Sequence, residues 1–334
     1  MIVQYEHGDP GGRAALEPVL DRLNEQGVDI IRQPNLRDHA DILITSTSDG
    51  VYTKEKELTL QARQYGVPSL SILDYWSHYR QRYSNERDEL MYLPDMIAVM
   101  DEYAKTEMIV LGFPADVIEV TGQPAFDCLE EKRQKYAQSY ERRWNAGYTA
   151  RRGHGYGEDT RLAIFLSQPI ASSDYGWGFN EHKVIPMFLD AVQSVAPDCQ
   201  VLIRPHPRED SKGLFRYEYY NDLDVKIRRS DGIHELMVSA DLVAGMNTVM
   251  LVEACYLGCI TLSIQPGKIG PDRLPTNRLG FSRAVYDPLD LEYNVDGLMN
   301  NYDVRMQMTD NLEHFRVKES ATDKVVELVN RMVT

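Results

Sequence analysis

Residues 242–264 read LVAGMNTVMLVEACYLGCITLSI, with Glu253 the single charged side chain in 23 positions. A run of this length and polarity is long enough to span a bilayer. However, Gly245, Asn247, Thr248, Glu253 and Gly258 divide it into strand, turn, helix and strand. That division is the sequence form of a buried βαβ unit, whose strands are apolar on both faces because helices cover the sheet. The stretch therefore argues for α/β architecture with parallel strands, and against a membrane span.

The same alternation extends in both directions. In the second half, strands are expected at 162–167, 200–204, 225–228, 242–244 and 260–263, with helices at 181–196, 231–239 and 247–257. In the first half, strands are expected at 1–5, 28–32, 41–45, 69–73, 96–99 and 117–120. Helices at 14–26 and 53–65 end at Gly27 and Gly66. The expected plan is two doubly wound Rossmann-like domains facing a cleft: residues 1–131, a connector at 132–161, residues 162–317, and a closing amphipathic helix at 318–334. The connector holds eight Lys or Arg against three acidic residues. It reads as a solvated helix and linker, or as a basic lip that attracts an anionic ligand or surface.

The 334 residues are 43% hydrophobic and 26% charged, which fits a folded globular chain and excludes disordered or fibrous classes. A formal charge of -15 would repel a phosphate backbone, so nucleic acid is not an expected partner. The N-terminal MIVQYEHGDP lacks a basic segment followed by an apolar one, and the expected location is the cytoplasm. Cys128, Cys199, Cys255 and Cys259 form no C-x-x-C pair and read as buried thiols. An Asp-x-Asp at Asp222-Leu223-Asp224 precedes its strand instead of ending one, which makes it a poor metal site.

Chemistry is expected where strands end, because ligands of such sheets sit beyond the carboxyl edge. The first strand runs into Glu6-His7-Gly8-Asp9-Pro10-Gly11-Gly12-Arg13. Gly11, Gly12 and Arg13 suit an approach of backbone N–H groups to a ligand, and Glu6, His7 or Asp9 could act as a base. A tight strand-to-helix turn needs glycine on either reading. The loop is neither a Walker A motif nor G-x-G-x-x-G, which removes the usual support for ATPase and dinucleotide functions. The strand at 69–73 delivers Asp74-Tyr75-Trp76-Ser77-His78-Tyr79, a carboxylate, an imidazole and aromatics able to grip a sugar or base. Gln123 lies in the turn Thr121-Gly122-Gln123-Pro124. In the second half, prolines bracket His206 in Arg204-Pro205-His206-Pro207-Arg208, and two arginines add fixed positive charge, a setting suited to phosphate. Asn247 or Thr248 can cap the following helix and leave N–H groups for an anion. Glu253, amid apolar neighbours, needs a partner. Lys268 places a further cation after the strand at 260–263.

These residues together resemble nucleotide-sugar glycosyltransferases of the GT-B fold, over most of the chain and most closely at 69–127 and 200–267. Leu93-Pro94-Asp95 through Val120-Thr121-Gly122-Gln123-Pro124-Ala125-Phe126-Asp127 looks like the end of the N-domain in bacterial surface-polysaccharide enzymes and in the related UDP-N-acetylglucosamine 2-epimerases. Arg204-Pro205-His206-Pro207 is similar to the His-Pro motif of bacterial sialyltransferases and the Arg-Pro-His-Pro of CDP-glycerol polymerases. Gly245-Met246-Asn247-Thr248 stands in place of their Ser-Ser/Thr motif, without a serine. Glu253 falls where GT-B enzymes keep a ribose-binding glutamate. The sialyltransferase base motif and the epimerase Gly-Gly-x-x-Glu-Glu pattern are both missing.

The resemblance implies a nucleotide-sugar donor in the second half and a glycan or lipid-linked acceptor in the first, without cofactor or metal. It also implies a peripheral setting at a membrane or assembly complex. Asp9 or His7, then Asp74, would take the acceptor proton, with inversion at the sugar. His206, Arg204, Asn247 and Thr248 would meet the leaving phosphate, with CMP- or CDP-activated donors favoured. A UDP-sugar epimerase or hydrolase on the same fold and a non-catalytic scaffold in polysaccharide assembly remain the alternatives.

Overall fold

A computed structural model describes residues 1–37, 39–137, 155, 156, 160–172, 176–229, 232–314 and 319–334. Most of the basic connector expected at 132–161 lies outside the described residues. The chain divides into two compact units, Met1–Cys128 with Val317–Thr334, and Leu129–Arg316.

The first unit holds a parallel sheet of β1 (Ile2–Glu6), β2 (Asp29–Ile31), β3 (Ile42–Thr45), β4 (Ser69–Ile72), β5 (Met96–Val99) and β6 (Ile118–Val120). Their order is β2-β1-β3-β4-β5-β6. Every residue of β3 and β4 is buried, as central strands covered on both faces require. The order reverses between β1 and β3, which are in register from Val3 opposite Ile42 to Glu6 opposite Thr45. Residues 7–12 and 46–48 therefore leave the sheet side by side.

The helix after β1 starts at Pro10, four residues earlier than its sequence pattern suggests. Asp9 caps it by accepting the Gly12 amide at 2.7 Å, and Pro10 at the first position has its backbone preset for a helix. Gly11 and Gly12 thus belong to the first helical turn and not to a loop. Their lack of a side chain serves close approach: a Cβ on Gly12 would stand 2.4 Å from Ser46 Oγ, and one on Gly11 2.9 Å from Asp74 Oδ2. The last helix, Ala321–Met332, packs Val325, Val326, Leu328 and Val329 into the same core as Leu16, Val19 and Leu23. Asp127 secures its start, accepting the amides of Ala321 at 3.0 Å and Thr322 at 2.8 Å.

The second unit holds β7 (Leu162–Leu166), β8 (Gln200–Arg204), β9 (Asp224–Ile227), β10 (Leu242–Gly245), β11 (Thr261–Ile264) and β12 (Arg283–Val285), all parallel. Their order is β12-β11-β10-β7-β8-β9, the Rossmann arrangement, and it reverses between β7 and β10. The stretch at 242–264 forms β10, the helix Val249–Tyr256 and β11, so its apolar character belongs to a sheet interior. No helix among the described residues is long and apolar enough to cross a membrane.

Candidate functional site

The sites expected from sequence fall at the two carboxyl edges. At the second sheet, Gly245 lies opposite Leu166, which sets Ser167 and Gln168 beside Met246, Asn247 and Thr248 at the order reversal. Gln168 Oε1 accepts the Asn247 amide at 3.0 Å. Thr248 caps the helix Val249–Tyr256, its hydroxyl accepting the Met250 amide at 3.3 Å. The Asn247 side-chain oxygen is buried with no hydrogen-bond partner among the described residues.

Next to this corner, β8 ends at Arg204 and turns through His206. Glu209 holds the turn to β7: one carboxylate oxygen accepts the Ser167 hydroxyl at 2.9 Å and the other the His206 amide at 2.9 Å. Burial pushes the Glu209 carboxyl above its ordinary range. Arg229 closes the turn from outside, donating to the carbonyls of Pro207 at 3.1 Å and Glu209 at 2.9 Å.

The His206 ring nitrogen Nδ1 accepts the Arg208 amide at 3.1 Å. An amide N–H can only donate, so the proton of the neutral ring sits on Nε2. Burial, with Arg208, Arg204 and Arg229 nearby, lowers the His206 pKa below 6.5. The ring is therefore a neutral N–H donor held by its backbone. Arg204 Nε is buried with no hydrogen-bond partner among the described residues. Burial lowers the pKa of that guanidinium, against the nearby carboxylate of Glu253.

Glu253, expected to be buried, is half-buried, and its partner is one that the sequence pattern did not indicate. His234 Nε2 lies 2.7 Å from its Oε2, and Lys132 Nζ lies 3.0 Å from His234 Nδ1. Lys268 points elsewhere, with its ammonium on the Gly270 carbonyl and 5.4 Å from the centre of the Tyr286 ring. Asp224 of the Asp-x-Asp opens β9 at the opposite, amino edge, and accepts from Gln200 at 2.6 Å. Among the described residues no cluster of His, Cys, Asp and Glu is placed to hold a metal.

At the first sheet the expected residues gather but are mostly occupied. Asp74 is paired with Arg82 at 2.5 Å and accepts the Thr47 hydroxyl at 3.2 Å. Burial pushes its carboxyl up, more than Arg82 pulls it down. Gln123 donates to the Asp74 carbonyl at 3.0 Å. Asp9 caps its helix. The pKa of His7 is lowered by burial and by Arg32, which is ion-paired with Glu6. Arg13 turns outward to Glu17 at 2.5 Å. Trp76, expected to offer a stacking face, is 1% exposed. Its ring stacks on Phe126 at 6.2 Å, and its Nε1 donates to Asp101 at 2.7 Å. The aromatic pattern could not say which face was core. His78 adopts a left-handed backbone and lies 3.9 Å from Asp49. Cys128 is exposed, whereas the other three thiols are buried.

Glu209, Arg229, His234 and Glu55 are the site residues that sequence reasoning missed. Only Glu209 stood near a motif already singled out, one position beyond Arg208.

No family model and no curated protein matches the sequence. Solved structures do resemble the fold. The UDP-GlcNAc 2-epimerase from Neisseria meningitidis bound to UDP-GlcNAc is similar with a TM-score of 0.69 at 13% identity, covering 99% of this chain and 100% of that one. The glycosyltransferase of kitacinnamycin gives 0.62 at 12% identity, covering 100% and 99%. The wall teichoic acid polymerase TagF, in a structure with CDPG, gives 0.54 at 12% identity, covering 99% and 88%. At such identities the likeness is one of fold. The chain has the GT-B architecture of two Rossmann-like α/β units that these enzymes share.

Proposed function

We propose that this chain is a nucleotide-sugar enzyme whose nucleotide phosphates bind at the carboxyl edge of β7, β8 and β10. The observation that carries this reading is the His206 turn. A neutral Nε2–H donor with a fixed tautomer stands in the same turn as a guanidinium whose Nε has no partner among the described residues, beside a strand that leads into a Thr248-capped helix. Such preset donors stabilise charge on a departing phosphate without reorganising as the bond breaks. Glu253, with one oxygen held by His234, keeps the other for a ribose hydroxyl.

The reaction we favour is transfer of the sugar, with inversion, from a CMP- or CDP-type donor to a surface glycan or glycoconjugate hydroxyl inside the cell. Protein groups alone would meet the phosphate charge, and Asp9, His7 or Asp74 would serve as the base. Epimerisation of a UDP-sugar is the second reading, favoured by the full-length likeness to an epimerase bound to UDP-GlcNAc.

Product analysis separates the two. UDP-GlcNAc incubated alone should return unchanged under the transferase reading, and should exchange at C2 under the epimerase reading. Under either, His206→Ala should lower turnover by at least ~100-fold, as loss of one preset donor does. Near-normal turnover in that variant would reduce His206 to a structural turn.

A further inference from the structure

At the first sheet, beyond β3, lies a narrow pocket that none of the expected site residues explains. Its lining includes Ser46, Thr47, Ser48, Thr53, Glu55 and Arg82. Glu55 is 4% exposed and sits in the first turn of the helix Lys54–Tyr65. Its Oε1 accepts the hydroxyls of Ser48 at 2.6 Å and Ser46 at 3.4 Å. Its Oε2 is buried and has no hydrogen-bond partner among the described residues. A buried carboxylate oxygen left in that state is costly, and a donor entering the pocket would relieve it.

The neighbouring charges decide which donor fits. The Lys56 ammonium is held by four carbonyls, those of Gly50, Val51, Gln81 and Ser84, at 2.7 to 3.3 Å. Arg82 is committed to Asp74, to Thr47 and to the Ser77 carbonyl. Lys56 is satisfied by backbone carbonyls and Arg82 is ion-paired with Asp74, so an anion entering the pocket would compete with Asp74 for Arg82 and meet the repulsion of Glu55. An ammonium group would in turn meet Lys56 and Arg82. A neutral hydroxyl fits this charge pattern: it donates to Glu55 Oε2 and brings no charge of its own to repel Lys56, Arg82 or Glu55.

We propose that Glu55 anchors one hydroxyl group of a carbohydrate or polyol substrate in this pocket. The proposal rests on the reading of the first unit as the acceptor-binding part, and it adds an anchoring carboxylate to the candidate bases Asp9, His7 and Asp74. Gly8 belongs to the same arrangement. A Cβ there would stand 2.3 Å from Ser48 Oγ and 2.6 Å from Glu55 Oε1.

The test uses the full chain with glycerol, methyl α-glucopyranoside and N-acetylglucosamine as probes, followed by saturation-transfer NMR titration. At least one probe should bind the wild type, with affinity at least ~10-fold weaker in Glu55→Gln, the scale of one lost hydrogen bond to a charged group. Should Glu55→Gln fail to fold, Gly8→Ala displaces the Ser48–Glu55 pair and should show the same loss. Equal affinity in the variant, or no binding of any probe to the wild type, would overturn the proposal. CDP and UDP titrated into the same proteins keep the two readings apart, because the nucleotide site lies on the other sheet. Intact nucleotide binding with a negative probe result removes this inference alone. Probe binding lost in Glu55→Gln, with no nucleotide binding in any protein, removes the donor reading alone.

Discussion

The two carboxyl edges carry similar residues and treat them in opposite ways. At the first sheet the charged residues expected from sequence are matched within the protein, Asp74 with Arg82, Asp9 with the helix it caps, and Glu6 with Arg32; Glu55, which was not among those expected, is the exception. At the second sheet Arg204 has a buried nitrogen with no hydrogen-bond partner among the described residues, and burial, with three arginines nearby, lowers the His206 pKa. The comparison teaches that a charged residue at a strand end does not by itself mark a ligand site. The two proposed sites rest instead on buried polar atoms with no partner among the described residues, Arg204 Nε at the second edge and Glu55 Oε2 at the first.

The largest expected effect tests the matched side. Arg82→Leu leaves the Asp74 carboxylate buried without its cation and should cost about 3 to 5 kcal/mol in denaturant unfolding. Arg204→Leu removes a guanidinium that has no ion pair within 4 Å among the described residues and should cost under about 1 kcal/mol. Equal losses would erase the contrast between the edges.

Asp9 comes next. Asp9→Ala should lose about 1 kcal/mol of stability, because the Gly12 amide loses its acceptor, and Asp9→Ser should restore most of it. Turnover in Asp9→Ser then decides the role: activity close to wild type leaves Asp9 as a cap, and collapse with stability intact makes it the base.

The smallest effect is a titration. Followed by NMR, the His206 ring should lose its proton with a midpoint below 6.5, and Arg204→Gln should move that midpoint upward by removing a neighbouring positive charge. The sign for stability follows from the lowered value. As pH falls below 6.5, the unfolded chain takes up this proton before the folded one, so the contribution of His206 falls with pH across that window. A midpoint above 6.5 would contradict the arrangement of Arg204, Arg208 and Arg229 around the ring.

Much of the fold was legible in the sequence because central parallel strands are apolar throughout. The division of residues 242–264 into strand, helix and strand is written in Gly245, Thr248 and Gly258. The short edge strands β2, β6 and β9 were legible as well, but the three residues of β12 leave no periodicity to find. In Arg204-Pro205-His206-Pro207 the candidate chemistry could be read locally, since the prolines and arginines lie in one turn. The groups that set it could not. His234 reaches Glu253 across 19 positions, and Arg229 reaches the carbonyl of Pro207 across 22. The need for Gly11 and Gly12 was hidden for a related reason: the contacts that demand glycine come from Asp74 and Ser46, in the loops that follow other strands.

The central claim is that the edge of β7, β8 and β10 binds a nucleotide phosphate through protein groups. Calorimetric titration of CDP and UDP into the wild type, Arg204→Gln and His206→Ala tests it most directly. The account predicts saturable binding of at least one nucleotide to the wild type, with each variant weaker by about 1.5 to 3 kcal/mol, the value of a hydrogen bond to a charged group. Nucleotide affinity unchanged in both variants, or no binding to the wild type, would contradict it.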